Sequence, residues 1–396
     1  MGGASVRDQF PALASGEWAY LDAATTSLVP QSVLEAVQGA MAAGGGAHRS
    51  VHALGERATS AYEAARAEVA AFLGVDCSEV VFVRSATEGL NQLAAGLGAT
   101  FEAGDEVIVS RAAHHSELLP WRRVCRERGL RLRTLELDER ADLDLAHLER
   151  LIGKKTRAVA IPHVSNVTGA VSAVRAVAER LPSRVRLVVD GAQGVAHWPM
   201  PMADLRCDAY VFSGHKVYGP PGVGAVWAKA SLWRAMQSRL VGGGMVLRVR
   251  PESEALAEGP ARFEAGSPNV PGAVGLAAGL AFAQVHHDRE RADALVTHGE
   301  ALLIEAGARL LGTPRERAGV LSFVVDGVHA HDLGALAAER GVAIRVGRHC
   351  AEPLLDHFGV RSAARASFGV YSRPEDIEAL ASVVTEARRL FARRGA

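Results

Sequence analysis

Leu187-Val188-Val189-Asp190-Gly191-Ala192-Gln193 is a β-branched run without polar alternation that ends in an acid and a small-residue turn. A strand of that kind is covered on both faces, as strands of a parallel, helix-layered sheet are. In open α/β sheets the ligand crevice lies beyond the carboxyl ends of the strands, where Asp190 is expected. Further along, Tyr210-Val211-Phe212-Ser213-Gly214-His215-Lys216 repeats the arrangement: a short apolar strand, then a turn carrying a lysine. Lys154, Lys155, Lys216 and Lys229 are the only lysines of a chain that otherwise uses arginine.

An amine forms a Schiff base with an aldehyde and a guanidinium does not, so the lysine has a chemical reason to stand there. A buried carboxylate needs a cationic partner. Pyridoxal 5'-phosphate (PLP) answers both needs, with an aldehyde for Lys216 and a ring nitrogen whose proton Asp190 holds in place. The plain alternative for Lys216 is a solvated loop lysine.

Outward from this pair, strand-like runs alternate with helical patterns. Candidate strands are Val80–Arg84, Glu106–Ser110, Arg131–Leu137, Thr156–Pro162, Leu187–Asp190, Ala209–Ser213 and Gly224–Trp227, with amphipathic stretches such as Gly89–Leu97 and Val174–Arg180 between them. The alternation predicts an α/β fold with a mostly parallel, seven-stranded, helix-covered sheet. Gly242–Gly266 reads as a long loop. After Pro271 the pattern gives a long helix, a strand at Val320–Val325, a helix and a strand at Val342–Val346. Ser372 and Glu375 are spaced as a capping box for the last helix. Two units are expected at this length: a large one over 20–284 and a small C-terminal one over 285–396, joined by the N-terminal arm 1–19.

Acidic and basic residues balance at net charge zero in 396 residues, which gives no electrostatic footprint for nucleic acid. The Arg388-Arg389 and Arg393-Arg394 pairs read as a solvated helix end. No apolar run reaches the roughly 18 residues of a membrane span, and the N-terminus lacks a charged-then-apolar signal pattern. A cytoplasmic enzyme is expected. Cys77, Cys125, Cys207 and Cys350 have no CxxC spacing, so neither a disulfide framework nor a structural metal site is expected.

Other segments carry chemistry. Arg84-Ser85-Ala86-Thr87-Glu88-Gly89-Leu90-Asn91 follows a strand and opens a helix, either an anion site or an ordinary cap. Ser213 and His215 flank Lys216 and can add phosphate donors. Gly219-Pro220-Pro221-Gly222-Val223-Gly224 lacks GK[ST] and does not make a nucleotide loop. His114-His115 follows the strand Glu106–Ser110, and an imidazole there can stack on a flat cofactor. No nearby acid or cysteine makes the two a metal site. Cys350 lies in Arg345-Val346-Gly347-Arg348-His349-Cys350, where Arg345, Arg348 and His349 are expected to favour its thiolate. Arg365, in Arg361-Ser362-Ala363-Ala364-Arg365-Ala366-Ser367, can fork a carboxylate.

With these residues the chain resembles the fold-type I PLP enzymes of aminotransferase class V, and among them the group II cysteine desulfurases, or selenocysteine lyase-like enzymes. The resemblance runs from Tyr20-Leu21-Asp22 to Arg365-Ala366-Ser367. Its specific segments include His48-Arg49-Ser50-Val51-His52, Thr87-Glu88-Gly89, His163-Val164-Ser165-Asn166-Val167, Asp190–Gln193, Ser213–Lys216 and Arg262–Asn269. It implies that Lys216 carries the cofactor and shuttles protons, Asp190 holds the ring nitrogen and Gln193 the phenolic oxygen. His114, counted with Lys216 and Cys350 as catalytic, stacks on the ring. Thr87, Ser213 and His215 bind the phosphate, with Ser267 from the other subunit of a homodimer. Asn166 and Arg365 orient the substrate carboxylate. Cys350 takes the sulfur of L-cysteine as a persulfide, leaving L-alanine, and passes it to an acceptor protein or thiol.

Three positions depart from the family pattern. Ala23 stands where a polar side chain is usual, Ala86 where a threonine is common, and Arg348 where a histidine often precedes the cysteine. Two other readings are weighed beside the desulfurase. One is a different PLP reaction on an amino acid: a β-lyase of a cysteine conjugate, an epimerase or a specialised biosynthetic enzyme. The other is a non-catalytic scaffold for a sulfur carrier, against which Lys216, Asp190 and Cys350 stand.

Overall fold

The computed structural model describes residues 5–392; Arg393, Arg394 and the first four residues of the N-terminal arm lie outside the described residues. A short strand, β1 (Ala19–Tyr20), pairs in parallel with Val342–Ala343 far along the chain. Seven strands then build the main sheet: β2 (Val80–Val83), β3 (Glu106–Ser110), β4 (Arg131–Leu135), β5 (Thr156–Pro162), β6 (Arg186–Asp190), β7 (Ala209–Ser213) and β8 (Gly224–Ala228). Their order is β2-β8-β7-β6-β5-β3-β4. The pairs from β4 through β7 are parallel, while β8 runs antiparallel to β7 and β2.

Apart from the edge strand β4, where Arg131, Arg133 and Thr134 are exposed, the strands lack polar alternation because both faces are buried. Phe82, Ile108, Val159, Ile161, Leu187 and Val189 enter one apolar cluster. Val81, Val107, Val109, Ala160 and Val188 enter another on the opposite face. Each fully buried aliphatic side chain contributes about 1.5–3 kcal/mol, so a one-residue slip would misplace every anchor at once. Four helices matter for the site: α1 (Gln31–Ala43), α2 (Ala53–Leu73), α3 (Ala86–Gly98) and α4 (His115–Arg128). Gly89 lets α3 lie close on the sheet, since a Cβ there would meet Val226 at 2.6 Å and Val211 at 2.7 Å.

A second sheet is antiparallel throughout, in the order Ala308–Leu310, Val320–Val325, Ala363–Ser367, Arg345–Gly347. Its apolar cluster takes in Leu295, Leu303, Leu321, Phe323 and Leu380, together with Leu21 from the N-terminal segment. That segment is tied down again by buried Arg7, which donates to Asp376 at 2.9 Å and to the carbonyls of Tyr371 and Trp18. Among the described residues no helix is long and apolar enough to cross a membrane.

Several elements differ from the sequence reading. Gly242–Gly266 is not a bare loop: Val246–Arg250 and Ser253–Leu256 pair as an antiparallel hairpin, followed by a short 3-10 turn at Gly259–Arg262. Only Val246 and Leu256, at the two outer ends of its strands, are even partly buried on this chain, so alternation carried little signal there. The long helix after Pro271 is two, Val270–His286 and Arg289–Glu305, because Asp288 caps a new start by accepting the Arg291 N–H. Val342–Val346 divides into Val342–Ala343 and Arg345–Gly347, which serve different sheets. The Ser372–Glu375 box does not form. Ser372 accepts the Gly369 N–H, and Asp376 takes the Arg373 N–H.

Candidate active site

The carboxyl ends of β3, β5, β6 and β7 open on one cleft of about 220 Å³. Thr87, His114, Asn166, Asp190, Gln193, Ser213, His215 and Lys216, all singled out in the sequence, line it. Thr25, Ser85, Ser116 and Arg345 line it as well. Thr25 and Ser116 carried no signal beyond their position beside the Leu21-Asp22 and His114-His115 segments.

Asp190 ends β6 with its side chain buried at 6% exposure, and one carboxylate oxygen accepts the Ala192 N–H at 2.9 Å. Burial raises its pKa, so the carboxylate calls for a cation. The turn that aims it depends on Gly191, where a Cβ would lie 2.0 Å from the Tyr210 ring. Below that turn Tyr210 and His163 form a buried hydrogen-bonded pair at 2.9 Å. Lys216 stands on the turn after β7. Burial draws its amine down to about 8, against the pull of Asp190 and with Arg365 and Arg345 adding to the fall. A free-base amine is therefore abundant at mildly alkaline pH. The Lys216 turn is strapped by the N-terminal segment, since the His215 carbonyl accepts from the Ser27 N–H at 2.8 Å and from both the Thr26 and Ser27 hydroxyls.

His114 is the N-cap of α4, its Nδ1 accepting the Ser116 N–H at 3.0 Å. Burial, with Lys216 next, depresses its pKa to about 3, so the ring is neutral and carries its hydrogen on Nε2. At the N-terminus of α3 the hydroxyls of Ser85, Thr87 and Ser213 converge. Ser213 accepts the Ala86 N–H at 2.7 Å, and Thr87 and Ser116 share a 2.8 Å bond. Hydroxyls and helix N–H groups together make an anion cradle. Ala86 thus contributes its backbone where the side chain offers nothing. Gln193 Nε2 donates to Ala24 O at 2.8 Å, and its buried Oε1 has no partner among the described residues.

Arg365 is buried and already engaged. It donates to Asn166 O at 3.0 Å, to Thr25 at 2.7 Å and to Asp22 at 3.2 Å, while its buried Nε has no partner among the described residues. Arg345 is the guanidinium on the cleft wall, reaching Thr25 at 3.2 Å and Cys350 Sγ at 3.7 Å. The expected cationic setting of Cys350 is narrower than the sequence suggested. Arg348 faces solvent and pairs with Glu352 at 3.1 Å. His349 is held neutral, at about 3, first by burial and then by Arg365, with its Nε2 against Ala363 O at 3.0 Å. Arg345 alone of the three contacts the sulfur. Left-handed backbone at His349 and Cys350, φ +51° and +54°, costs on the order of 1 kcal/mol each.

Ser267 is exposed and outside this cleft, next to Gly266, whose carbonyl accepts from Arg49 at 2.5 Å. Sequence reasoning passed over Glu117, fully buried on α4 with neither carboxyl oxygen partnered among the described residues. Burial, then Asp190, raises its pKa well above the usual range, which leaves it neutral.

The aminotransferase class-V family model matches residues 19–380. A cysteine desulfurase of Pectobacterium atrosepticum is 39% identical over 401 residues, covering 98% of both chains, and a probable cysteine desulfurase of Pseudomonas aeruginosa is 41% identical over 93% of each. Among solved structures, a cysteine desulfurase from Thermococcus onnurineus superposes with a TM-score of 0.93 at 35% identity, over 99% of this chain and 100% of that one. The Escherichia coli cysteine desulfurase in an S-sulfonic acid form gives 0.89 at 38%, over 97% and 98%. With the lysine, the buried acid and the cysteine gathered at the carboxyl ends of its sheet, and relatives matching from end to end, the chain belongs to the aminotransferase class-V family.

Proposed function

We propose that the protein is a PLP-dependent cysteine desulfurase that converts L-cysteine to L-alanine and carries the sulfur on Cys350. The observation that carries this reading is the meeting of Lys216 and Asp190 in one cleft whose wall cation, Arg345, also touches Cys350 Sγ. The cofactor fits the residues present. Asp190 has one carboxylate oxygen uncommitted in a buried position that needs a cation, and the hydroxyls of Ser85, Thr87 and Ser213 line the cleft at the α3 N-terminus, where a phosphate would be held. When bound, PLP supplies an electron-withdrawing ring that stabilises negative charge at the substrate carbon next to nitrogen.

The side chains divide the remaining work. Lys216 offers an unprotonated amine and then holds and returns the proton at the substrate α-carbon. Asp190 would keep the ring nitrogen charged, His114 would pack against the ring, and Gln193 would offer its second amide N–H to the phenolic oxygen. Thr87, Ser213 and His215 would hold the phosphate. Arg365 and Asn166 hold the substrate carboxylate, with Arg345 as a second cation close by. Cys350 Sγ forms an S–S bond to the substrate sulfur as the C–S bond breaks. The products are L-alanine and a persulfide on the enzyme, so no outside oxidant or reductant is needed. An acceptor thiol or protein then takes the sulfur.

A homodimer belongs to the same proposal, supported by exposed Val51, Leu54, Leu240, Val241, Leu247 and Val249 around the hairpin. Ser267 would then complete the partner's phosphate site. The division into a large and a small unit near residue 285 is supported by the packing of Val270–His286 in the first core and Arg289–Glu305 in the second. A nucleophile that works as a free thiol suits the reducing cytoplasm.

The test is a panel of amino acids followed together for alanine, sulfide and pyruvate. Alanine with one equivalent of persulfide or sulfide from cysteine is the expected result. Pyruvate without alanine would make the protein a β-lyase instead, and loss of stereochemistry without sulfur release an epimerase.

A further inference from the structure

The nucleophile loop is built on backbone that side chains rarely adopt. His349 and Cys350 are consecutive left-handed residues, and Gly347 two positions earlier has φ +118°. Such geometry persists only where its surroundings over-determine it. Separate parts of the chain do so here. Asn166 Nδ2, from the loop after β5, donates to His349 O at 2.8 Å. The His115 N–H, in the first turn of α4, donates to Cys350 O at 2.9 Å, and the Ala351 N–H closes the turn onto Arg348 O at 3.1 Å. The fourth contact is the His349 ring itself, 2% exposed, with Nε2 3.0 Å from Ala363 O on the strand Ala363–Ser367.

A ring nitrogen facing a carbonyl oxygen must carry the hydrogen. The neutral ring is therefore the Nε2–H tautomer, and its buried Nδ1 is bare, with no partner among the described residues. A ring so committed supplies no positive charge to the neighbouring sulfur. Its contribution is geometric.

We propose that His349 is a positioning residue for Cys350: its Nε2–H, bonded to Ala363 O, pins the left-handed elbow to the second sheet and fixes the reach of Sγ beside Arg345. Asn166 holds the other side of the same peptide. The inference rests on Cys350 being the sulfur acceptor, and it makes the loop a rigid platform to which the substrate sulfur is brought.

The experiment compares the holoenzyme with His349→Ala and His349→Gln, the second of which can still donate to Ala363 O. Hydrogen exchange of the peptide spanning 345–355 should quicken roughly tenfold in His349→Ala and stay near the parent in His349→Gln. kcat for alanine formation should fall about 10–100-fold in His349→Ala with little change in KM, and recover most of the way in His349→Gln. The pH midpoint for alkylation of Cys350 by iodoacetamide should be the same in all three. A midpoint that rises in both variants, or exchange and kcat unchanged in His349→Ala, overturns the proposal. Should His349→Ala fail to fold, the ¹⁵N signals of the parent's imidazole decide: a bare Nδ1 with Nε2–H from pH 6 to 9 is required, and a protonated ring sinks the idea. If the parent makes no alanine from cysteine, the desulfurase reading falls while exchange, alkylation and tautomer still judge the elbow.

Discussion

Lys216 and Asp190 show how far single residues constrain chemistry. Burial lowers the lysine to about 8, and a lowered amine pKa favours the free base. Capture of PLP by the cofactor-free protein should therefore quicken about tenfold per pH unit up to pH 8 and level off above it, read from the rise of the bound chromophore. Borohydride reduction of the holoenzyme should leave the pyridoxyl group on Lys216, and its appearance on Lys154, Lys155 or Lys229 would refute the assignment. Lys216→Arg should keep the charge and lose the covalent link, because a guanidinium cannot replace the amine. Cys350→Ala should lose alanine formation from cysteine while cysteine still perturbs the cofactor spectrum, since binding the carboxylate does not use the thiol.

At the scale of elements, the loop bearing Asn166 is held by the segment that leads into the second sheet at Val320. Arg317 donates to Thr168 O and Gly312 O, both at 2.6 Å, and pairs with Glu300 at 2.6 Å. Backbone bonds from Val171 to Glu316 O and from Ala318 to Gly169 O run beside it. Arg317→Leu should lower the free energy of unfolding in urea by about 2–3 kcal/mol, the expected loss of charge-assisted bonds to buried carbonyls. It should also raise KM for cysteine more than it lowers kcat, because the loop it steadies is the proposed carboxylate holder. A change in stability with no change in KM would separate the loop from substrate binding. The hairpin of Val246–Arg250 and Ser253–Leu256 tests the proposed dimer. Leu247→Glu with Val249→Glu should convert a dimer to a monomer in sedimentation with little loss of monomer stability, since both side chains are more than two-thirds exposed.

For the whole molecule the question is whether each site is complete in one chain. Ser267 stands outside the cleft that Thr87 and Ser213 line. Mixing inactive Lys216→Ala subunits with inactive Ser267→Asp subunits should restore part of the activity, because one hybrid site would keep both residues intact. Absence of recovery despite proven subunit exchange would mean that the sites are not shared.

The sequence by itself determined the sheet and the two groups at its mouth. Unbroken β-branched runs such as Leu187–Val189 can be satisfied only by burial on both faces, and a lone lysine and an acid at strand ends have a chemistry that residue type fixes. The class-V resemblance was legible for the same reason, in short segments whose residue types the chemistry requires. The hairpin within Gly242–Gly266 was not legible, because its side chains find little to pack against on their own chain and leave no period to read. Nor were the states of Arg348 and His349. Sequence placed both next to Cys350 as cations, but charge depends on burial and partners, and those came from Glu352, Ala363 and Arg365. Only the tertiary structure decided that Arg345 meets the sulfur, that Arg365 is already tied to Asp22 and Thr25, and that Asn166 grips the cysteine loop. Each of these is a contact between segments far apart in the chain, and local residue preference does not encode which of them will meet.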